Sequence, residues 1–189
     1  MKKQSDAKER ILETASRLFQ KQGYHATGLN QIIKESGAPK GSLYYYFPNG
    51  KEQLAIEAVQ ITEEEISAQL QHSLNSHSDH VKAIQAVFQY IEDQFQHLDE
   101  IKGVPIGLIA METWSVSEEL RLTCQYAFEG WQALFSNKLQ SGGISKDRAD
   151  DFAVTISSLI EGALTVSVTS KDPKPLTIAK RQIPLLLRD

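Results

Sequence analysis

One cysteine, two tryptophans and two methionines are spread over 189 residues, and nowhere do about 18 apolar residues run together. A lone cysteine, Cys124, cannot close an internal disulfide, which fits a reducing compartment. It leaves the thiol as a small packing residue or a redox sensor, and packing is the ordinary use. The N-terminal stretch MKKQSDAKERILETA carries charge but no apolar signal region, so a cytosolic protein with no membrane partner is expected. Also missing are a phosphate-binding loop, a nucleophile elbow, a GxGxxG fingerprint and an HExxH pair. Gly50-Lys51 lacks both the upstream glycine and the following Ser/Thr that a phosphate loop needs. Nothing therefore points to an enzyme or to a bound cofactor. His72, His77 and His80 give H-x4-H-x2-H without a cysteine, in a Ser/Asn/Asp-rich stretch that reads as a solvated bend rather than a metal site. Glu92, Asp93, Asp99 and Glu100 sit as adjacent pairs, the pattern of a solvated face.

What is present is ordinary globular material, 41% apolar and 23% charged. The net charge of −4 is unevenly divided. Residues 1–55 hold nine Lys/Arg against five Asp/Glu, a net of +4, which leaves −8 for the remainder. A basic N-terminal module on an acidic body is the asymmetry expected when one end meets phosphate.

The periodicity is helical throughout, with no β-type alternation, repeat or low-complexity tract, so an all-α fold of about nine helices is expected. Ile11, Leu12, Ala15, Leu18 and Phe19 define a first helix, capped by Asp6 and Glu9 and stopped by Gly23. Thr27 is the expected N-cap of a short second helix carrying Leu29, Ile32 and Ile33, with Gly37 as its left-handed stop. Pro39 suits the first position of a third helix, which Pro48 ends. Asn49 and Glu52 then cap a long fourth helix over residues 51–75.

Two short helices joined by a tight turn and packed on a longer one make a helix-turn-helix, whose second short helix enters the DNA major groove. Leu43 and Phe47, four residues apart, can face the core of that module. Lys40, Ser42, Tyr44, Tyr45 and Tyr46 then surround the remaining surface. A tyrosine there can stack on sugar or thymine methyl and offer its phenol to a phosphate or base edge; the alternative is that the rings only wedge the three helices together.

The stretch TGLNQIIKESGAPKGSLYYYFPNGKEQLA resembles the DNA-binding signature of the TetR family of bacterial transcriptional regulators. That pattern runs Thr, a short helix, Gly, a small-residue turn, Leu-Tyr-Tyr-His-Phe and Lys-Glu-x-Leu, and the match covers about residues 10–58. The resemblance implies that Thr27 and the start of its helix grip phosphate and that Asn30 approaches bases. It places Lys40, Gly41, Ser42, Tyr44 and Tyr45 at the groove, with Tyr46 and Lys51 on the DNA backbone. Tyr46 stands where the family commonly has His, and PNGKE is one residue longer than the usual connection. The implied protein is a repressor that binds a palindromic double-stranded operator as a homodimer. Residues 1–50 would be its DNA-binding domain and 51–189 its ligand-binding and dimerisation domain.

In the body, Val81, Ile84, Val87, Phe88, Ile91, Phe95 and Leu98 form one stripe. Ser115 with Glu118, and separately Ser145, are the expected caps of two long helices. Leu176–Leu187 forms a last helix that Pro184 should kink or shorten, and Gly103, Pro105 and Gly107 should shorten another. Phe88, Phe95, Met111, Trp114, Phe128 and Trp131 are candidate walls of a small-molecule pocket, core packing being the alternative. The resemblance implies an effector there, and for one branch of the family a planar plant aromatic such as a flavonoid. Dimer contacts are expected near residues 150–170 and 176–187, with Phe152, Ile156, Leu159 and Ala163 as candidates. Small residues such as Ser157, Ser158 and Gly162 would allow close helix approach.

Overall fold

A computed structural model describes residues 2–95 and 105–188; the expectations for Leu98, Asp99, Glu100 and Gly103 fall outside them. Among the described residues the chain forms nine α-helices and no strand. They are α1 (Lys2–Ala26), α2 (Leu29–Ser36), α3 (Lys40–Tyr46), α4 (Lys51–Asn75), α5 (His80–Phe95), α6 (Ile106–Thr113), α7 (Glu118–Ser141), α8 (Lys146–Ser170) and α9 (Lys174–Leu186).

Contacts divide the chain into two compact units, Met1–Glu64 with Lys102–Ala127 and Glu65–Ile101 with Phe128–Asp189. The division falls inside α4 and α7, because α6 and the start of α7 cluster with the helix-turn-helix.

The first unit is built on Ile11, Leu18 and Phe19 of α1, Ile32 of α2, Leu43 of α3, Phe47 at the C-cap of α3 and Leu54 of α4, all essentially without solvent exposure. Removing each such side chain from water contributes about 1.5–3 kcal/mol, so the i, i+4 pair Leu43 and Phe47 seats α3 as its spacing predicts. α2 stops where Gly37 takes a left-handed conformation (φ 62°). Several caps differ from expectation. α1 begins at Lys2, so Asp6 lies within the helix and faces Arg10 at 3.7 Å. Pro39 is the N-cap of α3 rather than its first residue. Ahead of α4, the Asn49 N–H donates to Gln53 Oε1 at 3.2 Å, so Gln53, not Glu52, closes the end. α7 is capped by Ser117 rather than Ser115: its Oγ accepts the Leu120 N–H at 3.1 Å and its hydroxyl donates to Glu52. Glu52 is thereby drawn away from the cap it was expected to form.

In the second unit α9 packs on both α5 and α8. Ala83, Ile84, Val87 and Phe88 of α5 are buried, as are Ala149, Ala153 and Ile156 of α8 and Leu176, Ala179 and Ile183 of α9. Ser145 is the N-cap of α8, though its side chain makes no capping bond. Pro184 does not end α9 early; the helix runs to Leu186. A proline deprives the carbonyl four residues earlier of its donor, and here that carbonyl, Lys180, is served instead by Gln85 Nε2 of α5 at 3.2 Å.

Cys124 is buried and its thiol is pushed up to about 11 by desolvation. The thiolate is the reactive form, so a packing role follows. Iodoacetamide at pH 8 is expected to leave Cys124 unmodified in the folded protein and to alkylate it rapidly once denaturant is added. Rapid labelling of the native chain would contradict this.

Candidate nucleic-acid interface

The solvent-facing side of α3 gathers the expected groups. Lys40, Gly41, Tyr44 and Tyr45 are exposed, Ser42 and Tyr46 half-buried, and Asn30 of α2 is exposed beside them in sequence order. Tyr45 is the most open of the tyrosines at 73%, and its ring meets Tyr46 edge-on with centroids 4.9 Å apart. Behind them a cavity of about 630 Å³ opens between α1, α3 and α4, lined by Lys8, Leu12, Tyr45, Tyr46, Glu57 and Ile61. Lys8 pairs there with Glu57 at 3.0 Å. No side chain caps α2, whose N-cap is Gly28; the Gln31 N–H is taken by the Gly28 carbonyl at 3.0 Å, and the first N–H groups of the helix point the way an outside acceptor would come.

A Cβ added at Gly41 would meet nothing within 4 Å. Glycine near the start of an exposed helix costs up to about 1 kcal/mol relative to alanine, and the packing of this chain does not require it.

Two expected contacts are placed differently. Thr27 is buried, and its hydroxyl donates to the Gly23 carbonyl at 2.7 Å. It ties the α1–α2 turn and has no hydroxyl donor left for phosphate, and Gly28 takes the cap position it was expected to hold. The Lys51 ammonium, expected on the DNA backbone, donates to the Tyr24 carbonyl at 3.1 Å and lies 4.3 Å from the centre of the Tyr24 ring. Burial pulls Lys51 below its ordinary pKa, with Glu112 opposing that shift; burial, reinforced by Glu52, raises the Tyr24 phenol.

Glu112 of α6 completes this cluster, and no sequence pattern announced it. Its carboxylate accepts the Tyr24 N–H at 2.5 Å and its carbonyl accepts the His25 Nε2–H at 2.8 Å. Gly23, at φ 80° and ψ 175°, breaks the helical path of α1 in a region open essentially only to glycine. A Cβ there would stand 2.6 Å from the Glu112 carboxylate. The sole sequence signal was Gly23 itself, legible as a helix stop but not as a seat for a residue nearly 90 positions away.

The candidate effector residues divide between the two units. Met111 and Trp114, 74% and 64% exposed, lie in the first unit; Phe88, fully buried, and Phe95, half-buried, lie in the second. Phe128 and Trp131, also in the second, meet edge-on at 5.3 Å. The indole N–H of Trp131 is buried and has no hydrogen-bond partner among the described residues. None of the six lines either the cavity behind α3 or a second one, described below, beside α5. Of the candidate dimer residues, Ile156 and Ala163 are buried within their own unit, while Phe152 and Leu159 are half-buried. Their helix turns its other side outward, where Val154, Ser158, Gly162 and Val166 are exposed at four-residue spacing.

A short helix presenting lysine and tyrosines, braced by a buried Leu/Phe pair on a three-helix module, defines a helix-turn-helix DNA-binding regulator. Comparison with known proteins agrees. Residues 11–58 match the model of bacterial regulatory proteins of the tetR family, and residues 80–182 match that of the LmrA/YxaF-like transcriptional regulator C-terminal domain. The chain is 50% identical over 188 residues to the HTH-type transcriptional regulator YxaF of Bacillus subtilis, covering 100% of this chain and 98% of that one. It is 46% identical to the LmrA regulator of the same organism, covering 97% of each. Among solved structures, the reduced form of E. coli NemR matches with a TM-score of 0.84 at 25% identity, over 94% of this chain and 95% of that one. A TetR regulator from Legionella pneumophila matches at 0.82 and 26%, over 96% and 97%. The chain belongs to the TetR family of transcriptional regulators, with an LmrA/YxaF-like C-terminal domain.

Gly23→Ala is expected to destabilise the protein by about 1–3 kcal/mol from backbone strain, with a further steric part that Glu112→Ala relieves. Thermal unfolding of both single variants and the double variant checks this. Additive losses would show that Glu112 does not sit against Gly23.

Proposed function

We propose that this protein is a repressor that reads a palindromic operator as a homodimer and is released by a small planar aromatic effector. The observation that carries the DNA-reading part is the outward face of α3, where Lys40, Tyr44 and Tyr45 are exposed and Gly41 leaves room that nothing in the chain fills. Lys40 supplies a phosphate or guanine contact, the tyrosines stack and donate, and the bare Gly41 backbone lets α3 settle into the groove. Asn30 and the uncapped first turn of α2 hold the flanking phosphate. Tyr46 steadies Tyr45 from the side. Residues 1–50 carry this function, and the helical remainder carries ligand binding and dimerisation.

Dimerisation is supported by the apolar character of α8, which has a mean hydropathy of 1.5 over its best window yet is only 28% buried there. By length and composition that helix could cross a membrane, but a second copy accounts better for its outward face. Val154, Ser158, Gly162 and Val166 form a ridge at i, i+4 spacing in which small residues allow close approach, and Ile178 and Leu185 of α9 are exposed as well. Two copies would set their recognition helices about 34–36 Å apart, one turn of DNA. The effector reading is supported by Trp131, whose buried indole N–H would be satisfied by an acceptor oxygen on an aromatic ligand stacked near Phe128. Such a ligand shifts the population toward a dimer with mis-spaced recognition helices.

A gel shift against the DNA upstream of its own gene, at two salt concentrations and with a panel of planar aromatics, tests the reading. Lys40→Ala and Tyr45→Ala are each expected to weaken operator binding by about 1–3 kcal/mol, roughly five- to 150-fold. Gly41→Ala should weaken it while leaving or raising thermal stability. Binding should fall steeply with added salt. Operator affinity unchanged in all three variants would overturn the assignment of α3.

A further inference from the structure

The histidine-rich stretch before α5 is not absorbed by DNA reading, and its geometry has a use of its own. Among the described residues no three His, Cys, Asp or Glu side chains converge to hold a metal. The three histidines separate: the His80 ring lies where a Cβ on Gly142 would stand, 2.1 Å from its Nδ1, whereas His72 and His77 line a cavity of about 550 Å³ with Lys82, Tyr90 and Lys180. All of these belong to the second unit. Asp93 is the one carboxylate among the lining residues, and Gln89 Nε2 donates to it at 2.7 Å.

One wall is held firmly. The Lys180 ammonium donates to Glu92 Oε2 at 2.5 Å and to Gln89 Oε1 at 2.7 Å, and the Lys180 carbonyl, left without a helical donor by Pro184, accepts from Gln85. Lys180 is thereby neutralised and fixed. Lys82, by contrast, makes no close ion pair among the described residues; its backbone N–H donates to Asp79 Oδ1 at 2.8 Å, and its ammonium acts on that carboxylate only through space. An uncommitted ammonium and two imidazoles facing one cavity stand out in the portion of the chain that carries the net negative charge. Asp93, the lining carboxylate, lies eleven residues along α5 from Lys82, about 16 Å of helix, so the end of the cleft with Lys82, His72 and His77 is the one that favours an anion.

We propose that this cavity binds a small organic anion bearing a phosphate or carboxylate group, held by Lys82, His72 and His77, with its organic part against Tyr90. The cleft is open, with His72, His77 and Lys82 exposed and Tyr90 half-buried, so a ligand there is held chiefly by charge-assisted bonds from the ammonium and imidazole N–H groups.

Calorimetric titration of the full chain with phenyl phosphate, benzoate and, as the neutral control, benzyl alcohol tests it without DNA, so failure here leaves the operator reading untouched. Phenyl phosphate, benzoate or both are expected to bind at millimolar concentration or below, and benzyl alcohol much more weakly. Whichever anion binds identifies the group the site prefers. His72→Gln with Lys82→Gln is expected to cost about tenfold or more in affinity with the melting temperature unchanged; if the pair lowers it, Lys82→Gln alone, at an exposed position, serves instead. No anion binding, equal binding of benzyl alcohol, or retention of affinity by the folded variant would each overturn the proposal.

Discussion

Glu112 seats its carboxylate where a side chain on residue 23 would begin, and the geometry of the first unit depends on that contact. Gly23 suits this position because its backbone takes a path that other residues adopt only with strain, and a Cβ there would displace the Glu112 carboxylate. The same carboxylate takes the N–H of Tyr24, the neighbouring carbonyl takes His25, and Lys51 closes on Tyr24 from the start of α4. Thr27 ties the turn from below by bonding to Gly23. One node therefore touches the end of α1, the start of α4 and the end of α6, and Ser117 on Glu52 adds a second tie between α7 and α4. This is why α6 clusters with the DNA module although it lies some 60 residues beyond α3 in the chain.

The module was legible because its determinants are local. Leu43 and Phe47 meet the core because they are one helical turn apart, Gly37 ends α2 because it can take a positive φ, and Lys40, Tyr44 and Tyr45 remain outside because no apolar period claims them. What was misread depends on distant partners. Thr27 looks like a cap until Gly23 offers a carbonyl, and Glu52 looks like a cap until Ser117 takes its carboxylate; the carbonyl and ring that Tyr24 offers Lys51 are equally distant in sequence. Nothing local in the stretch GVPIGLIAMETW distinguishes Glu112 from an ordinary surface glutamate.

The second unit shows the same limit from another side. Apolar residues on α8 were evident in the sequence, but periodicity alone could not say which face its own unit would use. The chain's own core takes Ala153, Ile156 and Ala163, and the ridge left outside is made of Val154, Ser158, Gly162 and Val166. Pro184 reads as a helix breaker until Gln85 satisfies the carbonyl it orphans; the break is repaired across an interface. The separation of the aromatic residues into two units has a similar origin, since composition places rings in a body without saying which helices share a core.

If Glu112 ties α6 to the helix-turn-helix as one body, α6 responds when the helix-turn-helix meets DNA. Hydrogen–deuterium exchange of the full chain, free and with the DNA upstream of its own gene, tests it directly. Slowed exchange across residues 29–46 accompanied by slowed exchange across 106–113 is the predicted result. Protection confined to 29–46, with 106–113 exchanging as in the free protein, would contradict it.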